Sequence, residues 1–224
     1  MRRWLAWGLM IAGLWMLLGA WPAIAAEPLQ SRAIAEARQQ SDSFVTVTGV
    51  VTVPSARFES ATFDRGFAVQ DETGGLYIHT DRDWGLHQGD RVTVTGFITD
   101  DGHGQQVLDL QRVDLRDRAT ITVSPQRVSI HDAIARLKGS LVTVEGEIQR
   151  AVVDDAPYGD RLWIRDDTGT VQVYIPRSTN INPAAWPDLQ PRQWLTVTGF
   201  SGEYDGRDEV IPRDRKDIVI ARSP

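Results

Sequence analysis

The residue types that perform catalysis are present in this chain but are not spaced for it. The four histidines, at positions 79, 87, 103 and 131, lie far apart and show no metal-ligand spacing. No Ser–His–Asp arrangement suggests a triad, and no glycine-rich phosphate loop is found. With no cysteine in the chain, thiol nucleophiles, disulfides and Cys-based zinc sites are excluded. We therefore predict that the protein is not an enzyme and needs no metal or cofactor.

Adjacent aspartates are the strongest remaining candidates for chemistry. They occur at Asp100-Asp101, Asp154-Asp155 and Asp166-Asp167. Neighbouring residues on a strand point to opposite faces, and in turns aspartate is favoured because it bonds the local backbone. We expect these pairs to be turn residues; a calcium site is the alternative, although no calcium-loop pattern accompanies them.

The elements that must position any site come from a module that occurs twice. Three segments recur in the same order, roughly 100 residues apart. They are Val45–Gly49 with Val142–Gly146, Asp71–Gly74 with Asp166–Gly169, and Val92–Phe97 with Leu195–Phe200. A repeat of this length is a whole domain rather than a solenoid unit. We predict two domains, residues 27–122 and 123–224.

Each module is predicted to contain a short helix followed by five strands. In the second module Ser129 and Asp132 form a capping pair for a helix that stops at Gly139. The Val-Thr alternation of the first strand is typical of a half-buried strand, and Gly49 or Gly146 within it indicates a bulge or bend. The Asp-x-Thr-Gly segments are expected to be hairpin turns in which glycine supplies the positive φ. The predicted later strands are 67–70, 76–79, 91–98 and 106–115, then 162–165, 171–175, 194–200 and 209–220.

These segments resemble the OB-fold superfamily. The resemblance lies in the glycine-bent first strand, the Asp-x-Thr-Gly turn and the fourth strand Gly89–Gly96, whose counterpart is Pro191–Gly199. It is closest to bacterial modules of the nucleic-acid-binding type found in exported proteins. It implies an all-β chain with short helices: two tandem five-stranded Greek-key barrels, whose helices cover the open barrel ends. It also implies a binding face on strands two and three with the adjoining loops, open to oligonucleotides, oligosaccharides or proteins.

Strand alternation identifies the residues of that face. The predicted ligand-binding residues are Trp163, Arg165, Gln172 and Tyr174 on the second module, Tyr77 and His79 on the first, and the loop residues Tyr204 and Arg207. Further loop candidates are Tyr158, Phe58, Phe63, Arg65 and His103. Because Ala68 stands where the second module has Trp163, we expect the second to bind better. The alternative is that Trp163 and Tyr174 are buried between the barrels or under the helix.

The N-terminal residues 1–26 have the order of a secretory signal peptide. Arg2 and Arg3 precede an apolar stretch from Trp4 to Trp21, and small residues allow cleavage near Ala25/Ala26. An uncleaved anchor is the alternative, since eighteen residues are close to the lower limit for a membrane span. We predict a periplasmic or secreted protein with no stable membrane insertion after cleavage.

The overall charge argues against indiscriminate binding of phosphate backbones. Without Arg2 and Arg3 the chain has 22 basic and 30 acidic residues, a formal charge of −8. Stacking residues favour a single-stranded nucleic acid as partner, whereas the acidic balance favours a protein or glycan partner of the cell envelope. Both hypotheses stay open at the level of sequence, as does the oligomeric state.

Overall fold

The computed structural model describes residues 30–58, 64–118, 121–122 and 124–221. The predicted signal peptide and the loop candidate Phe63 lie outside the described residues. Within the described part, no helix has both the length and the apolar character that a bilayer crossing requires.

The first module is a closed five-stranded barrel. Its strand order is β1-β2-β3-β5-β4, with β3 and β5 parallel and the other pairs antiparallel. The elements are α1 (Ile34–Arg38), β1 (Phe44–Val53), β2 (Phe67–Gln70), β3 (Gly75–His79), β4 (Arg91–Asp100) and β5 (Gln106–Asp117). Inward-facing side chains, among them Val47, Phe67 and Leu76, are fully buried and form its core.

The second module repeats this arrangement with additions at its edges. Strands β7, β9, β10, β12 and β11 pair in that order, and β11 pairs back onto β7 to close the barrel. The elements are β6 (Gln126–Arg127), α2 (Ile130–Arg136), β7 (Leu141–Ile148), β8 (Val153–Asp155), β9 (Gly159–Arg165), β10 (Thr170–Pro176), β11 (Trp194–Tyr204), β12 (Arg207–Ile211) and β13 (Ile218–Ala221). The predicted tandem of five-stranded barrels is confirmed.

The predicted last strand of the second module, 209–220, is wrong as a single element. The chain leaves β12 at Ile211, passes Pro212 and makes a 3-10 turn at Arg215–Asp217 before β13 begins. Proline cannot donate to the sheet, which favours the break. Asp214 then caps the turn through a bond from the Lys216 amide.

The mid-strand glycines, which were predicted to mark a bulge or bend, allow close contact between neighbouring strands. Gly49 lies where β1 leaves β4 and pairs with β2, and a Cβ there would meet the backbone of Gln70 at 3.0 Å. At Gly146 the corresponding distance, to the backbone of Arg165, is 2.8 Å. A side chain at either position would push the adjoining strands apart.

The Asp-x-Thr-Gly turns work differently from the expectation. Neither Gly74 nor Gly169 has a positive φ. Instead, one carboxylate oxygen of Asp71 accepts bonds from the Thr73 amide and hydroxyl and from the Gly74 amide, at 2.6 to 3.1 Å. The other accepts from the Ile34 amide at 2.8 Å and so caps α1. The repeated turn therefore fixes the helix over the barrel.

The same device recurs in the second module. Asp166 accepts from the Ile130 amide at 2.8 Å, in addition to the turn bonds from Thr168 and Gly169. Ser129 adds the predicted cap by accepting from the Asp132 amide at 3.1 Å. Both helices are thus held at their N-termini by a turn between strands of their own barrel.

The two barrels pack directly against each other. Phe200 of the second barrel is inserted between Phe58 and Tyr77 of the first, with ring centroids 6.4 Å and 5.6 Å away. Val53, Ala68 and Val107 complete this apolar cluster. Polar contacts surround it, including the bond from the Leu141 amide to the Gln70 side chain at 3.0 Å.

A buried ion pair also joins the two barrels. Arg213 forms a two-pronged contact with Asp217 at 2.7 and 2.8 Å, and donates to the Thr52 carbonyl of the first barrel at 3.0 Å. Both charged side chains are about nine-tenths buried. Such a pair is costly to break, because removing one partner leaves the other charge uncompensated.

Candidate ligand-binding face

The outer face of strands β2 and β3 is covered in the first barrel. Tyr77 points out of its barrel, as the alternation predicted, but only 7% of it is exposed because Phe200 lies against its ring. Ala68 beside it is fully buried, and the loop candidate Phe58 is buried in the same cluster. The prediction that Tyr77 is accessible to a ligand is therefore wrong: the second barrel occupies the place of a ligand.

His79 lies on the first barrel, apart from the face that stays open on the second. It ends β3, and its Nδ1 lies 3.4 Å from a carboxylate oxygen of Asp64. The loop candidate Arg65 is exposed on the same barrel. The structure therefore does not bring these two residues together with Trp163.

The equivalent face of the second barrel is outside the junction between the barrels and has a regular arrangement. Strand pairing aligns β9 with β10 and β10 with β12 across this face. The central row is Trp163, Gln172 and Glu209. The rows on either side begin with Arg165 and Arg161 on β9. All four residues that we predicted on these strands lie on this outer surface.

Trp163 is the aromatic centre of the face. It is half-buried, belongs to neither barrel core, and carries the guanidinium of Arg150 3.3 Å from its ring centroid. Arg150 is exposed, as is Arg165 at the end of β9. Within the described residues, neither arginine has a carboxylate within ion-pairing distance. The indole and two uncompensated cations thus form a stacking platform of positive charge.

Beside the indole lies a buried polar pair. Gln172 is 4% exposed and Glu209 5% exposed, and the Gln172 amide donates to the Glu209 carboxylate. Burial raises the pKa of Glu209 to about 7, against the opposing charges of Arg207 and Arg161 and the bond from Gln172. At neutral pH the centre of the face therefore holds a carboxylate that changes its charge easily.

The second aromatic of the face is Tyr174. Its ring lies over Gly159, where an added Cβ would come within 3.0 Å of the phenol oxygen. Burial, and the nearby Asp155 and Glu209 carboxylates, raise its pKa to about 12. Arg161 pairs with Asp155 at 2.7 Å, and its buried Nε has no hydrogen-bond partner. Tyr174 is therefore a neutral hydroxyl donor in the physiological range.

The β4–β5 loop of the first barrel and the β11–β12 loop of the second barrel contact each other. His103 stacks on Tyr204 with ring centroids 4.4 Å apart, and its Nδ1 lies 2.8 Å from Asp205. The hydrogen bond to Asp205 raises the pKa of His103. Arg207 completes the group with its guanidinium 5.8 Å from the Tyr204 ring. Candidates that we assigned to separate modules thus form one aromatic and cationic edge, while Tyr158 is exposed in a different loop.

Sequence reasoning missed three residues of the face: Arg150, Arg161 and Glu209. Alternation could have identified Arg161, since it lies two residues before Trp163 on the same strand. Glu209 could have been noticed as an acidic residue in a strand where the first module has Val107. Arg150 lies in a loop, so no periodicity indicated its contact with Trp163.

Comparison with known proteins gives one relative by sequence. No family model matches the chain. Over 126 residues it is 28% identical to the endonuclease YhcR of Bacillus subtilis. The match covers 55% of this chain and 10% of that protein, so the chain spans about a tenth of the relative's length.

The comparison with solved structures gives two weak matches. One is the OB domain of a Methanosarcina mazei protein, with a TM-score of 0.37 and 17% identity over 46% of this chain and 89% of that one. The other is a murine DNA-binding protein bound with double-stranded DNA, with a TM-score of 0.40 and 11% identity over 80% of this chain and 97% of that one.

The described residues contain no group of three or more His, Asp or Glu side chains that could hold a metal ion. What the open face offers is aromatic surface, cations and hydrogen-bond acceptors. Both barrels have the β1-β2-β3-β5-β4 order, its closure, and a helix fixed over the barrel by the turn between strands two and three. The chain is a tandem of two OB folds.

Proposed function

We propose that this protein is an exported, non-catalytic binding protein that takes single-stranded nucleic acid across the outer face of its second barrel. The observation that carries the proposal is the Trp163 indole with Arg150 stacked on its ring and Arg165 exposed at the end of the same strand, on an otherwise acidic molecule; a base would stack on this arginine–indole pair. The equivalent face of the first barrel is covered by the second, so the tandem offers one such face.

The chemistry of the platform suits unpaired bases. An aromatic ring can stack on a base only when that base is not already stacked in a duplex, and each such contact contributes about 1–3 kcal/mol. Arginines beside the ring attract the phosphates that connect successive bases. The His103–Tyr204 stack at the edge of the face gives a second aromatic surface for a neighbouring nucleotide.

The sequence relative supports the same class of ligand. Its name describes a protein that acts on nucleic acid, and the similarity covers more than half of this chain. Because the match covers only a tenth of that enzyme, we propose that the shared part contributes binding rather than cleavage.

Fluorescence anisotropy of a labelled oligonucleotide tests the proposal. We expect single strands to bind more tightly than duplex, with an affinity that falls as salt is added. Trp163→Ala should weaken binding about tenfold or more, because one stacking contact is lost. Arg165→Gln should also weaken binding. It should reduce the slope of log affinity against log salt concentration by about 0.7, the contribution of one phosphate contact.

The control is Arg112→Gln, which removes an exposed arginine from the first barrel. It should leave the affinity unchanged. If no oligonucleotide binds at low salt, or if Trp163→Ala lowers the melting temperature but leaves the affinity intact, the proposed face is not a nucleic-acid site.

A glycan is the second candidate ligand. The observation that favours it is the half-buried indole of Trp163, since sugars present a flat apolar ring face that packs on an aromatic ring. Saturable binding of an oligosaccharide that is insensitive to salt, with no binding of oligonucleotides, would favour this candidate.

Export is proposed from the N-terminal sequence alone. Expression of the full chain in a bacterial host should yield a periplasmic or extracellular product whose mass matches cleavage near Ala25/Ala26. A cell-associated product of full mass would favour the anchor instead.

A further inference from the structure

The junction between the two barrels contains a small cavity with an unusual lining. Its volume is about 190 Å³, and its walls come from both barrels. Arg38 and Thr73 line it from the first barrel, and Arg136, Lys138 and Ser140 from the second. Three of these residues are cationic and none is acidic. None belongs to the face on β9, β10 and β12.

Arg38 is the central group of this cavity. Its Nε donates to the Gln106 side chain at 2.9 Å, and its Nη1 donates to the carbonyls of Gly75, at 3.1 Å, and Lys138. All three acceptors are neutral, and within the described residues no carboxylate lies within ion-pairing distance of this guanidinium. Arg38 is half-buried, and burial removes part of the hydration of its charge, which an anion in the cavity would replace. The desolvation by burial lowers the pKa of Arg38, in agreement with this geometry.

The two other cations are compensated to different degrees. Lys138 contacts Glu203 and lies 2.8 Å from a carboxylate oxygen of Asp208, so two carboxylates more than offset its charge. Arg136 is largely exposed, and its one acidic neighbour, Asp132, is 3.5 Å away along the helix. The positive charge that lacks an anion therefore comes from Arg38 and, in part, from Arg136.

We propose that this cavity binds an oxyanion of the phosphate type, as free phosphate or as the terminal phosphate of a larger molecule. Arg38 and Ser140 supply donors from the lining of the cavity, and the exposed side chain of Arg136 adds a cation at its solvent side. Several donors that surround a small cavity suit an anion with oxygens on every side. The volume far exceeds the ~10–15 Å³ that a single water needs.

Thermal unfolding of the full chain in sodium phosphate tests the inference, with sodium chloride adjusted to keep ionic strength constant. We expect the melting temperature to rise with phosphate and to saturate, because a ligand that binds only the folded state stabilises it. Arg136→Gln should weaken the apparent affinity about tenfold, the effect of losing one charged hydrogen bond. Ser140→Ala provides a second substitution in the cavity lining, one that leaves the charge unchanged.

Arg112→Gln is the control for charge, and Trp163→Ala is the control for the proposed nucleic-acid face. Both should leave the response to phosphate unchanged. A linear response without saturation, or a saturable one that survives Arg136→Gln and Ser140→Ala alike, would overturn the inference.

The source of the ligand follows from a comparison of 5′-phosphorylated and unphosphorylated dinucleotides. A gain in affinity from the 5′-phosphate that Arg136→Gln abolishes identifies a nucleic-acid end, and equal affinities identify free phosphate.

Discussion

At the scale of single residues, Glu209 is the clearest departure from what stability alone would select. It is buried on the outer surface of a barrel, at the place that Val107 occupies in the other copy. Its burial raises its pKa to about 7 from an ordinary 4.5. The ionised form is therefore disfavoured in the folded protein. A carboxylate kept in such a position, one strand beyond Gln172 in the row of Trp163, favours a role in the proposed binding face.

Glu209→Gln should consequently make the protein more stable at high pH. Below about pH 4.5 the carboxyl is protonated in both the folded and the unfolded chain, and the substitution changes little. Between about pH 4.5 and 7 the unfolded chain ionises first, so the stability of the natural protein falls, and above pH 7 the full loss persists. At pH 8 we expect the variant to gain on the order of 2–3 kcal/mol in the free energy of unfolding, measured by denaturant titration.

The same substitution removes a negative charge from the platform, so oligonucleotide affinity at pH 8 should rise with stability. Glu72→Gln, at an exposed turn, is the control for both measurements. If Glu209→Gln is no more stable than the natural protein at pH 8, the carboxylate is not disfavoured by its surroundings.

At the scale of elements, the turn between strands two and three acts as the cap of a helix from the same barrel. Asp166 accepts bonds from three backbone amides and one hydroxyl. Burial alone would raise its pKa, but the bonds from Ile130, Thr168 and Gly169 outweigh burial and lower it. The next residue, Asp167, is exposed. The repeated aspartate pair thus contains one structural residue and one solvated residue.

Asp166→Ala should therefore destabilise the protein by about 2 kcal/mol or more, since it removes a helix cap together with the turn bonds. Asp167→Ala, the matched control, should change stability by less than about 0.5 kcal/mol. The lowered pKa means that the stabilisation from Asp166 is complete above about pH 4 and is lost as the pH falls further. The difference between the two variants, measured by urea unfolding, should shrink in acid; a difference independent of pH would contradict the proposed cap.

How far the sequence predicted the structure follows from the same residues. Alternation correctly placed Trp163 and Tyr174 on the outside of β9 and β10, because that periodicity is a property of the strand itself. It could not distinguish Phe97 from Phe200, which share the local sequence Thr-Val-Thr-Gly-Phe. The first is 45% exposed, and the second is buried against the other barrel. Contacts between barrels depend on surfaces far apart in sequence, which is why the covering of Tyr77 was not foreseen.

At the scale of the whole molecule, the barrels dock through unlike surfaces. Such a heterologous contact could in principle repeat with further copies. The close approach of Gly75 and Gly139 prevents this, since a Cβ at Gly75 would lie 2.1 Å from the Gly139 carbonyl oxygen. The equivalent positions carry side chains, Thr170 and Asp42. The docking between the two barrels therefore depends on glycine at both positions, and Thr170 and Asp42 oppose its repetition at the outer ends.

Phe200 carries this junction, and its counterpart Phe97 provides a matched test. Phe200→Ala should lower the free energy of unfolding by about 3–5 kcal/mol, the usual cost of emptying a buried phenylalanine site. Phe97→Ala should cost no more than about 1.5 kcal/mol, because that ring is 45% exposed and pairs with the exposed ring of Phe44, with centroids 4.7 Å apart. The loss of Phe200 should also split one calorimetric transition into two, as each barrel retains its own core.

Since Phe200→Ala uncovers Tyr77, it should make the face of the first barrel accessible to the oligonucleotide as well. Equal losses from the two substitutions would mean that the barrels do not hold this junction in solution.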